Sequence, residues 1–246
     1  MPRYPMRATS SYVLGPGRVS TTLKVLIAAN VAVFLLQQFV VQTTFLFGLI
    51  PSEVVRQGHV WQLVSYMFLH ASPFHIIFNM LALWMFGGEL ERLWGPRYFL
   101  RFYFLTGIGA ALLTVVFAFT LSPSLQHSLI VGASGAIYGL LLAYGLYFPD
   151  RPIYMYFVFP IPAKYFVLIM GALAFYSSIS EAGGVAHAAH LGGLLVGYAL
   201  LKGGRLRLHP WAEVKYRYMK WKIGRMRKRF DVYPGGRTDD WDRRIH

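Results

Sequence analysis

Ser134 lies in the run Val131-Gly132-Ala133-Ser134-Gly135-Ala136-Ile137-Tyr138-Gly139, where an uncharged loop meets an apolar helix. It is one hydroxyl among residues too small to shield it. Two roles are open to a serine so placed. In one it packs, because Gly, Ala and Ser let membrane helices approach closely, and Gly135 and Gly139 form a small-xxx-small pair. In the other it is a nucleophile at a helix N-terminus, with room for a substrate carbonyl. Groups that could serve a nucleophile occur elsewhere in the chain: His75 and Asn79 at i and i+4 on one helical face, and His187 and His190 three residues apart. There is no cysteine, hence no thiol nucleophile, disulfide frame or cysteine metal site. A metal held by His70, His75, His187 and His190 is conceivable, since neutral imidazole is a common ligand. Against it, the chain has no HExxH run, and no acid on these helical turns offers itself as ligand or base. No cofactor is called for.

The elements that must position these groups are membrane spans. Of the 246 residues, 56% are hydrophobic, 17% aromatic and only 14% charged, with a mean hydropathy of +0.45. Soluble chains carry about 25% charged residues. Six apolar stretches are long enough, or nearly so, to cross the hydrocarbon core as helices: roughly 23–42, 74–90, 98–119, 134–149, 163–181 and 185–202. The fold class expected is therefore an all-α polytopic membrane protein, a six-helix bundle over 23–202. A basic arm over 1–22 precedes it and a basic tail over 203–246 follows. The first apolar stretch lacks a small-residue cleavage site and reads as a retained span. The loop 43–73 ends in Trp61-Gln62-Leu63-Val64-Ser65-Tyr66-Met67-Phe68-Leu69-His70, too apolar for a free loop. It is expected to be a helical segment lying against the membrane surface.

Positive residues orient the spans. Arg3, Arg7, Arg18 and Lys24 precede the first, Arg92, Arg97 and Arg101 follow the second, and Arg151 and Lys164 lie between the fourth and fifth. Fourteen of the 24 Lys and Arg lie from Lys202 onward, whereas the other side carries only Arg56. Both termini are thus expected in the cytoplasm. The tail, with Lys215, Arg217, Lys220, Lys222, Arg225, Arg227, Lys228 and Arg229 among aromatic and apolar residues, suits an anionic lipid surface at about 1 kcal/mol per basic residue. Nucleic acid is not the expected partner, because the membrane is nearer. A prokaryotic plasma membrane fits the compact core and inside-positive flanks.

Orientation brings the polar groups together. Spans two, four and six all run from outside to inside, so Ser134, His75, Asn79, His187 and His190 share one depth. Strongly polar residues within spans are expensive and point by default to function. Ala189, Gly193 and Gly197 form a small-residue stripe that could face Gly135 and Gly139, letting two backbones approach and Ser134 reach an imidazole. His190 shares a face with Gly193 and Gly197. His187 lies one turn before it and remains the alternative base.

These residues resemble the rhomboid family of intramembrane serine proteases. The resemblance covers about residues 23–200 and rests on four motifs. They are Gly132-Ala133-Ser134-Gly135, the His70-x4-His75-x3-Asn79 run, Gly87-x3-Glu91-x3-Gly95, and Ala189-His190-Leu191-Gly192-Gly193 with Gly197. It implies Ser134 as nucleophile, His190 as its base, and His75 and Asn79 as part of the oxyanion hole. It further implies that Tyr138 packs against the imidazole and that Glu91 is a structural hydrogen-bonding residue in the cytoplasmic turn. The outer loop often has Trp-Arg in the family; this chain has Trp61-Gln62. The implied reaction is peptide hydrolysis in or near a substrate's own membrane span. With no acid beside His190, a dyad is expected. His70 is expected to order the loop through hydrogen bonds, His127 to be a solvated loop residue, and Glu181 to cap or order the loop between spans five and six. A catalytically silent rhomboid-like chaperone and a small transporter are the rival readings, although the six spans show no internal repeat of the kind transporters often carry.

Overall fold

The computed structural model describes residues 18–155, 159–179 and 184–203. Helix α1 (Thr21–Phe39) begins where Ser20, in an extended conformation, accepts a hydrogen bond from the Leu23 N–H. That serine also donates its hydroxyl to Glu91 Oε2. Glu91 is buried, so it is tied down at the start of α1 as well as in its own turn. Most of α1 exposes its apolar side chains, among them Val25, Leu35, Leu36 and Phe39, as a helix bathed in lipid does.

The segment after α1 is largely helical. It holds α2 (Gln42–Phe47), α3 (Pro51–Arg56) and α4 (Gln62–Ser65), and α4 runs on into a 3-10 turn at Tyr66–Phe68. Then comes α5 (Pro73–Ala82), started by a legible signal: Ser72 accepts from the His75 N–H and Pro73 stands at the first helical position. A π-helical turn at Leu83–Gly87 joins α5 to α6 (Gly88–Trp94). The run from Pro73 to Trp94 is bent by 97° from the Gln62–Phe68 segment.

Gly95 stops α6, and Pro96 starts α7 (Pro96–Thr120), the longest helix described. A 3-10 turn at Pro123–His127 and an extended segment lead to α8 (Ser134–Tyr147), which is buried on most sides. Last come α9 (Ala163–Ile179) and α10 (Gly184–Lys202). The described residues of the apolar stretches are largely helical. By length and composition two of the described helices, α1 and α7, can cross a membrane alone, and the bent α4–α6 run adds a third if it is counted as one span.

The described residues are mostly helical, as an all-α protein requires, with one local departure between α8 and α9. Pro152–Met155 (β1) and Phe159–Pro162 (β2) form an antiparallel hairpin, Pro152 opposite Pro162 and Ile153 opposite Ile161. The segment is rich in Ile, Tyr, Phe and Val, which suit strands. Its prolines sit at the ends and edges of the pair, where a missing N–H costs little. Lys164 N–H to the Pro149 carbonyl and Ala163 N–H to the Arg151 carbonyl close the base of the hairpin. Arg151 also pairs with Glu89 on α6. The basic tail and most of the N-terminal arm lie outside the described residues, as does Glu181.

Candidate active site

Helices α8 and α10 meet backbone to backbone. A Cβ placed on Gly193 would land on the Gly135 carbonyl, and one on Gly197 would come within 3.0 Å of Gly139 Cα. Only glycine at 193 permits this approach. It is the facing of two small-residue stripes that the spacing predicts, and it sets how far a side chain on one helix must reach to touch the other.

At one end of this seam Ser134 Oγ lies 2.8 Å from His190 Nε2. Ser134 is the first residue of α8, and the N-cap position before it is Ala133, which has no capping side chain. The His190 ring stacks on Tyr138, centroids 4.2 Å apart and planes 7° from parallel. Since Tyr138 is one turn below Ser134 on α8, the same helix carries the hydroxyl and the plate on which the imidazole rests. For Nε2 to accept the Ser134 proton, the ring proton must sit on Nδ1. Nδ1 is buried and has no hydrogen-bond partner among the described residues. Packing on Tyr138, rather than a carboxylate, orients this ring. His187 meets His190 edge to face at 5.6 Å. Its imidazole is a neighbour of the base position, and the bond to Ser134 comes from His190.

The loop before Ser134 is built for close approach. Gly132 has φ +124°, a conformation that side-chain-bearing residues rarely adopt. A Cβ there would lie 2.8 Å from both Cε1 and Nε2 of His75 and 3.6 Å from Ser134 Oγ. The Gly132 N–H is held by the Tyr66 carbonyl at 2.9 Å. Two residues earlier, Ile130 and Leu49 exchange N–H···O bonds of 2.9 Å each, an isolated antiparallel bridge to the outer loop.

His75 is oriented by its own helix start. The Ala71 N–H donates to His75 Nδ1 at 3.3 Å, so the proton of the neutral ring is on Nε2, the atom facing Gly132. Asn79, buried one turn on, donates one Nδ2 hydrogen to the His75 carbonyl at 2.8 Å and keeps a second N–H. The first N–H groups of α8 have no intrahelical acceptor and carry the positive end of the helix dipole. Around Gly132 the structure thus brings together a hydroxyl, an acceptor imidazole, a donor imidazole and the backbone N–H groups that open α8, with the Asn79 carboxamide one turn on from His75. That arrangement can deprotonate the hydroxyl and stabilise an oxyanion next to it.

Two other histidines lie outside the helices that carry the site. The His70 imidazole is buried and meets His75 edge to face at 5.1 Å. Its backbone N–H donates to Gln37 Oε1 at 2.9 Å. Burial first, and the neighbouring His75 second, push the His70 imidazole down to about 4, against a hydrogen bond with the Phe68 backbone that raises it. His127 is exposed, as expected, and its Nδ1 also lies 3.1 Å from Ser52 Oγ. Sequence reasoning also passed over Ser72, Tyr66 and Ser20. Ser72 was readable as Ser-Pro before an apolar run. Tyr66 acts through its carbonyl and leaves no mark in the side-chain pattern, and Ser20 acts through a partner 71 residues away.

A family model described as "Rhomboid domain" matches residues 57–204. Among similar proteins, Rhomboid protease GluP of Bacillus subtilis is 32% identical over 157 residues, covering 64% of this chain and 28% of that protein. Rhomboid protein 1, mitochondrial, of Saccharomyces cerevisiae is 32% identical over 180 residues, covering 70% of this chain and 50% of that protein. Rhomboid protease AarA of Providencia stuartii is 29% identical over 202 residues, covering 74% and 71%. The chain therefore spans half or less of the length of the first two. The matched region contains His75, Asn79, Ser134 and His190 together with the helices that carry them, and the chain belongs to the rhomboid family.

Proposed function

We propose that the protein is an intramembrane serine endopeptidase that cleaves transmembrane segments of membrane proteins. The observation that carries this is the 2.8 Å contact of Ser134 Oγ with His190 Nε2 across the glycine seam, beside a preformed set of donors. Ser134 attacks the scissile carbonyl while His190 Nε2 takes its proton, then returns it to the leaving amine. Water then hydrolyses the acyl-enzyme by the same proton route. The oxyanion is met by backbone N–H at the start of α8, by His75 Nε2–H and by the second N–H of Asn79. The substrate must unwind locally, because a helix in lipid keeps its carbonyls in internal hydrogen bonds. Small or helix-breaking residues at the cleaved bond follow from this.

The topology assigned to this activity is six spans with both termini cytoplasmic, which puts Ser134 in the outer part of the membrane. Its support is the distribution of Lys and Arg beside the spans. The tail is assigned to the anionic lipid surface on the same side. A prokaryotic plasma membrane rests on the compact core and its flanks alone, since the relatives include mitochondrial as well as bacterial proteins. The rival reading, a silent rhomboid-like chaperone, is disfavoured because both the hydroxyl and the imidazole are present and in contact.

The test is direct. Purified protein in liposomes is expected to cleave a model single-span substrate, and a fluorophosphonate is expected to label Ser134 and stop it. The His190→Ala variant should neither cleave nor take the label. Cleavage that survives complete labelling, or that a metal chelator removes, would overturn the serine mechanism. A second expectation concerns the oxyanion. His75→Ala removes one donor, so kcat should fall about 10²–10³-fold with KM little changed. An unchanged kcat in the folded variant takes His75 out of that role.

A further inference from the structure

Gln62 stands where relatives of this family often carry arginine, and its surroundings give it a different task. The side chain is fully buried, at 0% exposure. Oε1 accepts from the Ile50 N–H at 3.0 Å, and Nε2 donates to Glu53 Oε2 at 2.7 Å. Glu53 Oε2 also meets His59 Nδ1 at 3.2 Å, and the His59 ring stacks on Trp61. Ile50 is joined to Leu49, which is bridged to Ile130, two residues before Gly132 and four before Ser134. One hydrogen bond joins the carboxamide to the Ile50 backbone, and from there to the loop before Ser134 every link is a backbone hydrogen bond or a peptide bond.

We propose that Gln62 is a positioning residue for the Ser134 loop, its carboxamide fixing Ile50 and so the Leu49–Ile130 bridge that holds Gly132 and Ser134 against His75 and His190. The inference rests on the reading of Ser134 as nucleophile. The position requires a group that accepts from an N–H and donates to a carboxylate at once. Glutamine does both; a carboxylate only accepts, and a methionine does neither in strength. The side chain touches no reacting atom and acts through the backbone.

The experiment measures kcat and KM in liposomes, the rate of fluorophosphonate labelling of Ser134, and thermal unfolding. The proteins are the wild type, Gln62→Glu, Gln62→Met and the exchanged pair Glu53→Gln with Gln62→Glu. Gln62→Glu sets two carboxylates face to face, and a misplacement of the loop should lower kcat about 10- to 100-fold with KM nearly unchanged. Labelling should slow in step. The groups facing this pair are the Ile50 N–H and His59, with Arg56 and His127 farther out on Gln126 and Ser52. Apposed carboxylates hold a proton more tightly, and once protonated one of them can donate again. The loss relative to wild type should therefore shrink as pH falls, whereas that of Gln62→Met should not. The exchanged pair restores both bonds with the donor on residue 53, and most of kcat should return. If Gln62→Glu does not fold, Gln62→Met and the exchanged pair carry the same comparison. Wild-type kcat in both single variants, or an exchanged pair as slow as Gln62→Met, overturns the proposal. Absence of cleavage by the wild type is failure of the protease reading instead, and labelling of Ser134 then reads the positioning alone.

Discussion

Ser134→Ala should abolish peptide cleavage while leaving the fold intact. The helix N-cap is Ala133, and the Ser134 hydroxyl is hydrogen-bonded to His190. Alanine therefore suits the first position of α8 and leaves only the His190 Nε2 acceptor without its partner. Serine hydrolases that lose the nucleophile fall by about 10⁶ in kcat. The drop here should be at least about 10⁴-fold, a dyad having less to lose than a triad. The stronger expectation concerns additivity. If hydroxyl and imidazole act as a unit, the double variant Ser134→Ala with His190→Ala should cleave no more slowly than either single variant. Single-turnover rates on one substrate, with circular dichroism to verify the helices, decide it. Multiplying losses would show that the two side chains contribute by separate routes.

Gly193→Ala should be the most damaging single-methyl addition in the bundle. Its Cβ would fall on the Gly135 carbonyl, with the Gly135 carbonyl carbon 2.9 Å away, and a backbone atom of a buried helix has no rotamer by which to yield. The helices must part, at a cost of about 1–3 kcal/mol for overpacking, and the separation moves His190 away from Ser134. Activity should therefore fall further than stability. Gly197→Ala, whose methyl would meet Gly139 Cα at 3.0 Å, should do less. Gly171→Ala on α9, whose nearest neighbour would be Leu194 Cδ1 at an ordinary 3.5 Å, should be close to neutral in both respects. Unfolding in detergent and kcat for the three variants test the order. Equal effects at 193 and 171 would mean that the seam does not set the geometry.

How much of this was legible before the structure depends on the range of each interaction. The apolar helices were readable, because twenty or so apolar residues in a row leave the backbone little alternative in lipid. Ser134, His75, Asn79 and His190 stood out because polar groups are costly within spans, and the orientation expected from the flanking charges would put them on one level. The glycine stripes announced a close seam, since the spacing of 189, 193 and 197 is local to one helix. The hairpin at 152–162 was overlooked because its residues are as apolar as a span and its prolines read as loop. Gln62 was visible only as a departure from a family pattern. Its partners, Ile50 and Glu53, are contributed by the folded outer loop, and its bearing on Ser134 passes through a bridge between residues 49 and 130.

The contact of Gly193 with Gly135 has a mechanical meaning. Ser134 and His190 belong to different helices, and at the Gly193–Gly135 contact the two backbones touch with no side chain between them to absorb a change in spacing. The reach from hydroxyl to imidazole is therefore a property of the helix separation at one level, and a shift of one helix against the other acts on that distance itself.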